Sequence, residues 1–190
     1  MFDFIDYKTF WVIVHLFGVI IGAGGAFASD FMFFSSIKDK MISHTEMRFL
    51  RLGSKMVWIG LAIIVVSGVF LFMSDVPRYM ASSKFLVKMT IVGVIIVNGI
   101  IFHFRHIPRL HRHVGQDYSL SKEFVKKSPY LLASGVISGV SWLSAFILGA
   151  LHKVPYSYWQ ILSFYLVILC LGILVAVLSK NRLLRMSKKD

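Results

Sequence analysis

Between residues 9 and 34 the chain reads TFWVIVHLFGVIIGAGGAFASDFMFF, an apolar run whose ionisable residues are His15 and Asp30. Roughly 20 apolar residues in a helix cross the hydrocarbon core of a bilayer, so this stretch is long enough to span it. Asp3 and Asp6 precede it, where a cleaved secretory signal would carry a basic segment. The run therefore reads as a retained transmembrane helix.

Working outward from it, four more segments have the same character, at residues 55–73, 84–104, 131–151 and 159–179. Polar or breaker-rich connections separate them, at residues 35–54, 74–83, 105–130 and 152–158. Pro77, Pro108, Pro129 and Pro155 all fall in these connections, where a missing N–H breaks no helix. The fold expected over residues 1–190 is one all-α polytopic membrane domain with five transmembrane helices.

Composition points the same way. Hydrophobic residues make up 57% of the chain and charged residues 16%, with a mean hydropathy of +0.74. Soluble domains are about 25% charged. Intrinsic disorder and an ordinary soluble enzyme are excluded. So is a disulfide scaffold, since Cys170 is the single cysteine and lies in an apolar run. No phosphate-binding glycine loop, Ser/His/Asp arrangement or zinc-protease spacing is present.

The net charge of +12 is a matter of topology. Sixteen of the 21 lysines and arginines fall on one side of the expected helices, in the connection after span one and the start of span two, in the connection after span three, and in the C-terminal segment. Lys8, Arg78, Lys84 and Lys153 fall on the other side, and Lys88 lies within span three. The positive-inside bias then sets the N-terminus outside and the C-terminus in the cytoplasm, in a plasma membrane such as the bacterial inner membrane. The basic blocks are juxtamembrane, so their expected partner is the anionic lipid surface and not nucleic acid.

Small residues mark the faces along which membrane helices meet. In span one His15, Gly18, Gly22, Gly25 and Ser29 recur at steps of three and four, on a single helical face. Span four repeats the pattern with Ser134, Ser138, Ser141, Ala145, Gly149 and His152, and span two carries Gly53, Gly60 and Ser67 at sevens. The fifth span has no ionisable group in its interior. The expected arrangement is a four-helix bundle with the fifth helix peripheral. Homo-oligomers are common among such small proteins, but no residue here demonstrates one.

Ionisable groups inside a membrane are expensive and mark function by default. His15 lies about 9 Å below the outer end of span one, and Lys88 about 6 Å below the outer end of span three, so the two are level. His152 ends span four on the same side. His103, about 22 Å deeper than Lys88, is level instead with Asp30. Two sites are expected: an outer one of His15, Lys88 and His152, and an inner one of Asp30, Asn98 and His103. A histidine on a glycine-lined face suits a planar porphyrin, because imidazole gives iron its axial bond and Gly18 and Gly22 leave room for the ring. Lys88 at that depth would meet a propionate or, when neutral, ligate the iron itself. Asp30, Asn98 and His103 would form a proton relay or a hydrogen-bonded cap of the bundle.

Two further groups have metal-ligand character. His103, His106, His111 and His113 sit among Arg105, Arg109 and Arg112, whose charge opposes a divalent cation, so the segment reads as a basic interfacial stretch. Met73, Met80 and Met89 are of the type that binds Cu(I), though they form no tight cluster and read as apolar filling.

The segment Arg48-Phe-Leu-Arg-Leu-Gly53, with Ser67-Gly68 at the end of the same span, resembles the second helix of the copper-resistance D (CopD-like) membrane domain. Lys84-Phe-Leu-Val-Lys88, continuing through Asn98 to Arg105–Pro108, resembles that family's third helix, and His15 with Gly24-Gly25 its first. A first-helix histidine with a third-helix lysine is also similar to the HemJ-type protoporphyrinogen oxidases, which bind haem b. The resemblance covers roughly Phe10 to Leu151. It implies that His15 is the axial haem ligand and Lys88 its essential, catalytic partner. The expectation is thus a haem-b-binding membrane protein with an oxidoreductase or electron-transfer role and an unidentified redox partner. The alternatives are a copper-type permease without haem and a small membrane scaffold or assembly factor.

Overall fold

The structure, a computed structural model, describes residues 6–38, 41–116, 122–152 and 154–186. Lys40, Lys153, Lys188 and Lys189 of the charge distribution lie outside them. The described residues are helical throughout, apart from turns and one isolated bridge between Ile42 and Val114.

Helix α1 runs Tyr7–Lys38, and the carboxylate of Asp6 caps its first turn by accepting from the Thr9 amide at 2.6 Å. Helix α2 (His44–Met73) begins well before residue 55, where its apolar span was expected to start. The reason is a capping box: Ser43 Oγ accepts from the Glu46 amide at 3.1 Å, while Glu46 Oε2 accepts from the Ser43 amide at 2.8 Å. Hydropathy marks where a helix enters lipid, but cap chemistry marks where it starts.

A short helix α3 (Val76–Met80), capped by Asp75 and with Pro77 in its first turn, leads to α4 (Ser83–Ile101), capped by Ser82. The chain does not leave the helix at residue 104 as expected. One π-helical turn, Phe102–His106, passes directly into α5 (Ile107–Arg112). Pro108 follows the π turn within the continuous helical span Ser83–Arg112, so it lies inside a helix and not in a connection as expected. Helix α6 spans Lys122–Ala150 and α7 Tyr158–Met186. Pro129 is therefore inside a helix, against the expectation of a connection, although it stands at the first residue of the apolar span Pro129–Ala150.

Among the described residues five helical stretches are long and apolar enough to cross a membrane: Tyr7–Ser35, His44–Met73, Ser83–Arg112, Pro129–Ala150 and Tyr158–Ser179. Their outward faces carry large apolar side chains such as Ile20, Phe31, Phe104, Phe164 and Leu178, all strongly exposed. A water-soluble monomer does not present apolar surface on this scale. In lipid the same side chains are solvated, and the helices satisfy their own backbone groups.

Helices α1 and α2 pack along most of their length, and the seam is glycine on glycine. A Cβ on Gly60 would meet the backbone of Gly22 and, at 2.7 Å, the carbonyl of Gly18. A Cβ on Gly25 would lie 2.9 Å from the carbonyl of Gly53, and one on Gly53 would meet the Ser29 hydroxyl. Backbones approach this closely only where side chains are missing. Helices α4, α6 and α7 form a second set. Asn98 donates to the Ser134 carbonyl at 3.0 Å and accepts from the Ser134 hydroxyl at 2.9 Å, joining α4 to α6. Ser141 and Tyr165 share a buried hydrogen bond of 2.8 Å, joining α6 to α7. Between the two sets the approaches are sparser: Trp142 of α6 lies over Gly22 of α1, and a Cβ on Gly135 of α6 would lie 3.6 Å from Asp30 Oδ1.

Candidate functional site

Two cavities lie between these two sets of helices, and both are lined by Trp142 and Ile95. The larger one has a volume of about 1210 Å³, toward the starts of α1 and α4. Small-molecule sites typically measure about 300–1,000 Å³, so this one has room for a large organic group. Its walls are mainly apolar, from Val12, Val19, Leu61, Phe72, Phe85 and Val92 among others, with His15, Lys88, Lys84, Arg78 and His152 set into them.

The imidazole of His15 is held in a defined state. Its Nδ1 lies 3.0 Å from Ser67 Oγ, on the neighbouring α2. Ser67 is completely buried, and its one hydroxyl proton goes to the Ile63 carbonyl at 2.5 Å. A serine hydroxyl has a single proton to give, so Ser67 accepts from His15. His15 therefore carries its proton on Nδ1, and Nε2 is the nitrogen with a free lone pair. That is the arrangement of a metal-ligating histidine, whose other ring nitrogen donates to an oriented acceptor. Gly68 makes space beside the ring: a Cβ there would lie 3.7 Å from His15 Cε1.

Lys88 projects from α4 into the same cavity, half-buried, and near enough to His15 to act on it electrostatically. His152 also lines the cavity, but it is exposed, just past the end of α6. Nearby, Lys84 donates to the Leu151 carbonyl at 2.6 Å and ties the start of α4 to the end of α6. His15, Lys88 and His152 thus border one space.

Gly18 and Gly22 do not. Neither lines the large cavity; Gly18 seats Ile63 and Ile64 of α2, and Gly22 seats Gly60 and the Trp142 ring. The room that the sequence reading assigned to a porphyrin face is filled by helix packing. Other small residues border the cavity, Gly68, Ala145 and Gly149 among them.

The smaller cavity, about 40 Å³, is lined by Asp30, Ser29, Ser54, Asn98, Ser134 and Ser138 together with Trp58 and Trp142. Asp30 and Asn98 therefore meet at one place. His103 lies just outside it, with Nδ1 3.1 Å from the Ser54 hydroxyl. Of the remaining histidines in the basic segment, His113 Nδ1 is 2.9 Å from the Arg109 carbonyl, and His106 is buried with its ring edge-on to that of Phe102, 6.0 Å between centroids. Among the described residues, no three His, Cys, Asp or Glu side chains gather as a metal site. Met80 and Met89 border the large cavity and Met73 does not.

The sequence reading missed two residues that shape these cavities. Ser67 was noted for its spacing from Gly60 and within the CopD-like resemblance but not as a partner of His15, although a serine one helix away from a membrane histidine is a natural acceptor. Trp142 gave no signal, because an aromatic in an apolar span ordinarily faces lipid.

No family model, curated protein or solved structure matches this chain.

Proposed function

We propose that this protein is an integral membrane redox protein whose large cavity holds haem b, with His15 as axial ligand. The observation that carries the proposal is the His15–Ser67 hydrogen bond, which leaves Nε2 unprotonated on a ring bordering a cavity of about 1210 Å³. The resemblance of residues 10–151 to CopD-like and HemJ-type proteins supports the same reading. Bound haem would supply one-electron redox chemistry. Lys88 would give either the second axial nitrogen or the cation for a propionate, and Arg78 and Lys84 add positive charge at the rim. Ser67 holds the imidazole, and the apolar walls exclude water.

In this proposal α7 is peripheral to a bundle of the other four spans, and the starts of α1 and α4 face the outside of a plasma membrane. The basic connections then face the cytoplasm. Haem needs one or two nitrogen ligands, which the cavity has. A copper-type permease would need a cluster of donors, for which the large cavity has only the thioethers of Met80 and Met89 beside its histidines.

The test is the visible spectrum of the detergent-purified protein, oxidised and then reduced with dithionite. A Soret band that shifts on reduction in the wild type, and is missing from a folded His15→Ala variant, is the expected result. A protein that stays colourless after haem is supplied, or a His15→Ala variant that keeps its full haem content, would overturn the proposal. A colourless wild type would leave copper flux through liposomes as the next measurement.

A further inference from the structure

The smaller cavity is outside this redox reading, and its chemistry is different. Asp30 reaches it from α1, Ser54 from α2, Asn98 from α4, and Ser134 and Ser138 from α6. Asp30 Oδ2 is buried without a hydrogen-bond partner. Ser29, 6% exposed, also lines the cavity, and its hydroxyl oxygen is likewise buried without a partner. Buried polar atoms are almost always satisfied, so two orphaned oxygens at one cavity call for an occupant that binds oxygen.

The charge is unbalanced as well. Among the residues lining this cavity Asp30 is the one ionisable group, and no lysine or arginine borders it. His103 is the nearest titratable neighbour, one hydrogen bond away through Ser54. A water molecule would satisfy Oδ2 but leave the carboxylate charge uncompensated between apolar helices. A cation or a proton would compensate it.

Size and ligand type narrow the choice. About 40 Å³ is space for roughly three water-sized particles at ~10–15 Å³ each, which excludes an organic cation. The available donors are hard oxygens: Asp30 Oδ2, the hydroxyls of Ser29, Ser54 and Ser138, and the second lone pair of Asn98 Oδ1. Hard oxygens suit alkali and alkaline-earth ions and not the soft metals. One carboxylate among neutral oxygens matches a single positive charge; calcium and magnesium sites draw on more carboxylate or on phosphate.

We propose that the cavity between α1, α2, α4 and α6 is a binding site for one small monovalent cation of the sodium class, held by Asp30 with Ser54, Ser138 and Asn98. A proton on Asp30 is the competing occupant, so cation binding weakens as the pH falls. The proposal does not rest on haem, and its test reads no haem signal.

The experiment is equilibrium dialysis of the full-length, detergent-purified protein against radioactive sodium ion, at alkaline pH, with choline chloride holding ionic strength constant. The expected result is saturable binding of one sodium ion per chain, displaced by lithium more readily than by potassium. Asp30→Asn keeps the shape of the side chain and should abolish saturable binding; Ser138→Ala should weaken it. Trp58 and Trp142 border the cavity, so their fluorescence should change over the same sodium range. Size-exclusion chromatography verifies that both variants remain folded. Absence of saturable sodium binding by the wild type would overturn the proposal, and so would wild-type binding by a folded Asp30→Asn.

Discussion

Replacing Ser67 with alanine separates a residue that orients His15 from one that merely fills space. Ser67 is fully buried, and alanine is the same side chain without its oxygen, so nothing new is crowded. The Ile63 carbonyl loses only a side-chain bond made one turn along its own helix. Hydrogen bonds between membrane helices average about 0.6 kcal/mol and reach at most about 1.7, so the variant should fold with a small loss of stability. Haem affinity should change far more. Removing the partner of a metal-ligating histidine costs about 10–100-fold in affinity, because the ring loses both its tautomer and its aim. The assay is titration of haem into the apo-protein, followed by Soret absorbance, for the wild type, Ser67→Ala and His15→Ala. Wild-type affinity in a folded Ser67→Ala would refute the orienting role. Affinity as poor as that of His15→Ala would show that the 3.0 Å bond understates what Ser67 does.

Two other substitutions probe the packing around the cavities. Gly22→Ala would set a methyl 2.5–3.3 Å from three ring atoms of Trp142; displacing that stiff ring should cost about 1–3 kcal/mol and shift tryptophan fluorescence, and an unchanged melting temperature with an unchanged spectrum would argue against this contact. Ser141→Ala and Tyr165→Phe, singly and combined in a denaturation cycle, should give a coupling energy of about 0.6 kcal/mol, and additive losses would mean the 2.8 Å bond does not tie α7 to α6.

The helical spans are legible in the sequence because hydropathy over about 20 residues is a strong, local signal. Helix ends are less so. Ser43 and Glu46 start α2 by hydrogen bonding, a matter of single side chains, and the π turn Phe102–His106 carries the third span past the residue where apolar character fades. Depth along a helix was partly readable: counting 1.5 Å per residue puts His15 level with Lys88, and both border the large cavity, whereas the same count puts Asp30 level with His103, which stands just outside the smaller cavity on Ser54 while Asn98 lines it with Asp30. Rotation about the helix axis was not readable. A stripe of Gly18, Gly22 and Gly25 is one face, but nothing in the stripe says whether a ligand or a helix covers it. What decides is the complementary stripe on α2, where Gly53 and Gly60 stand seven residues apart and let two backbones meet.

That seam has a consequence for how the two cavities relate. Glycine contacts weld α1 to α2, and hydrogen bonds tie α6 to α4 and to α7. Both cavities lie where these two sets face each other, and each is lined by polar groups from both: His15 and Asp30 ride on α1, Lys88 and Asn98 on α4. A ligand in either cavity therefore bridges the same pair of units. Trp142 makes the link tighter, since one indole borders both spaces and rests on Gly22. Any change in the spacing of the two units moves the walls of both sites at once. Coupling between them then needs no chain of intermediate residues; it needs only that the two occupants prefer different spacings of α1 and α6.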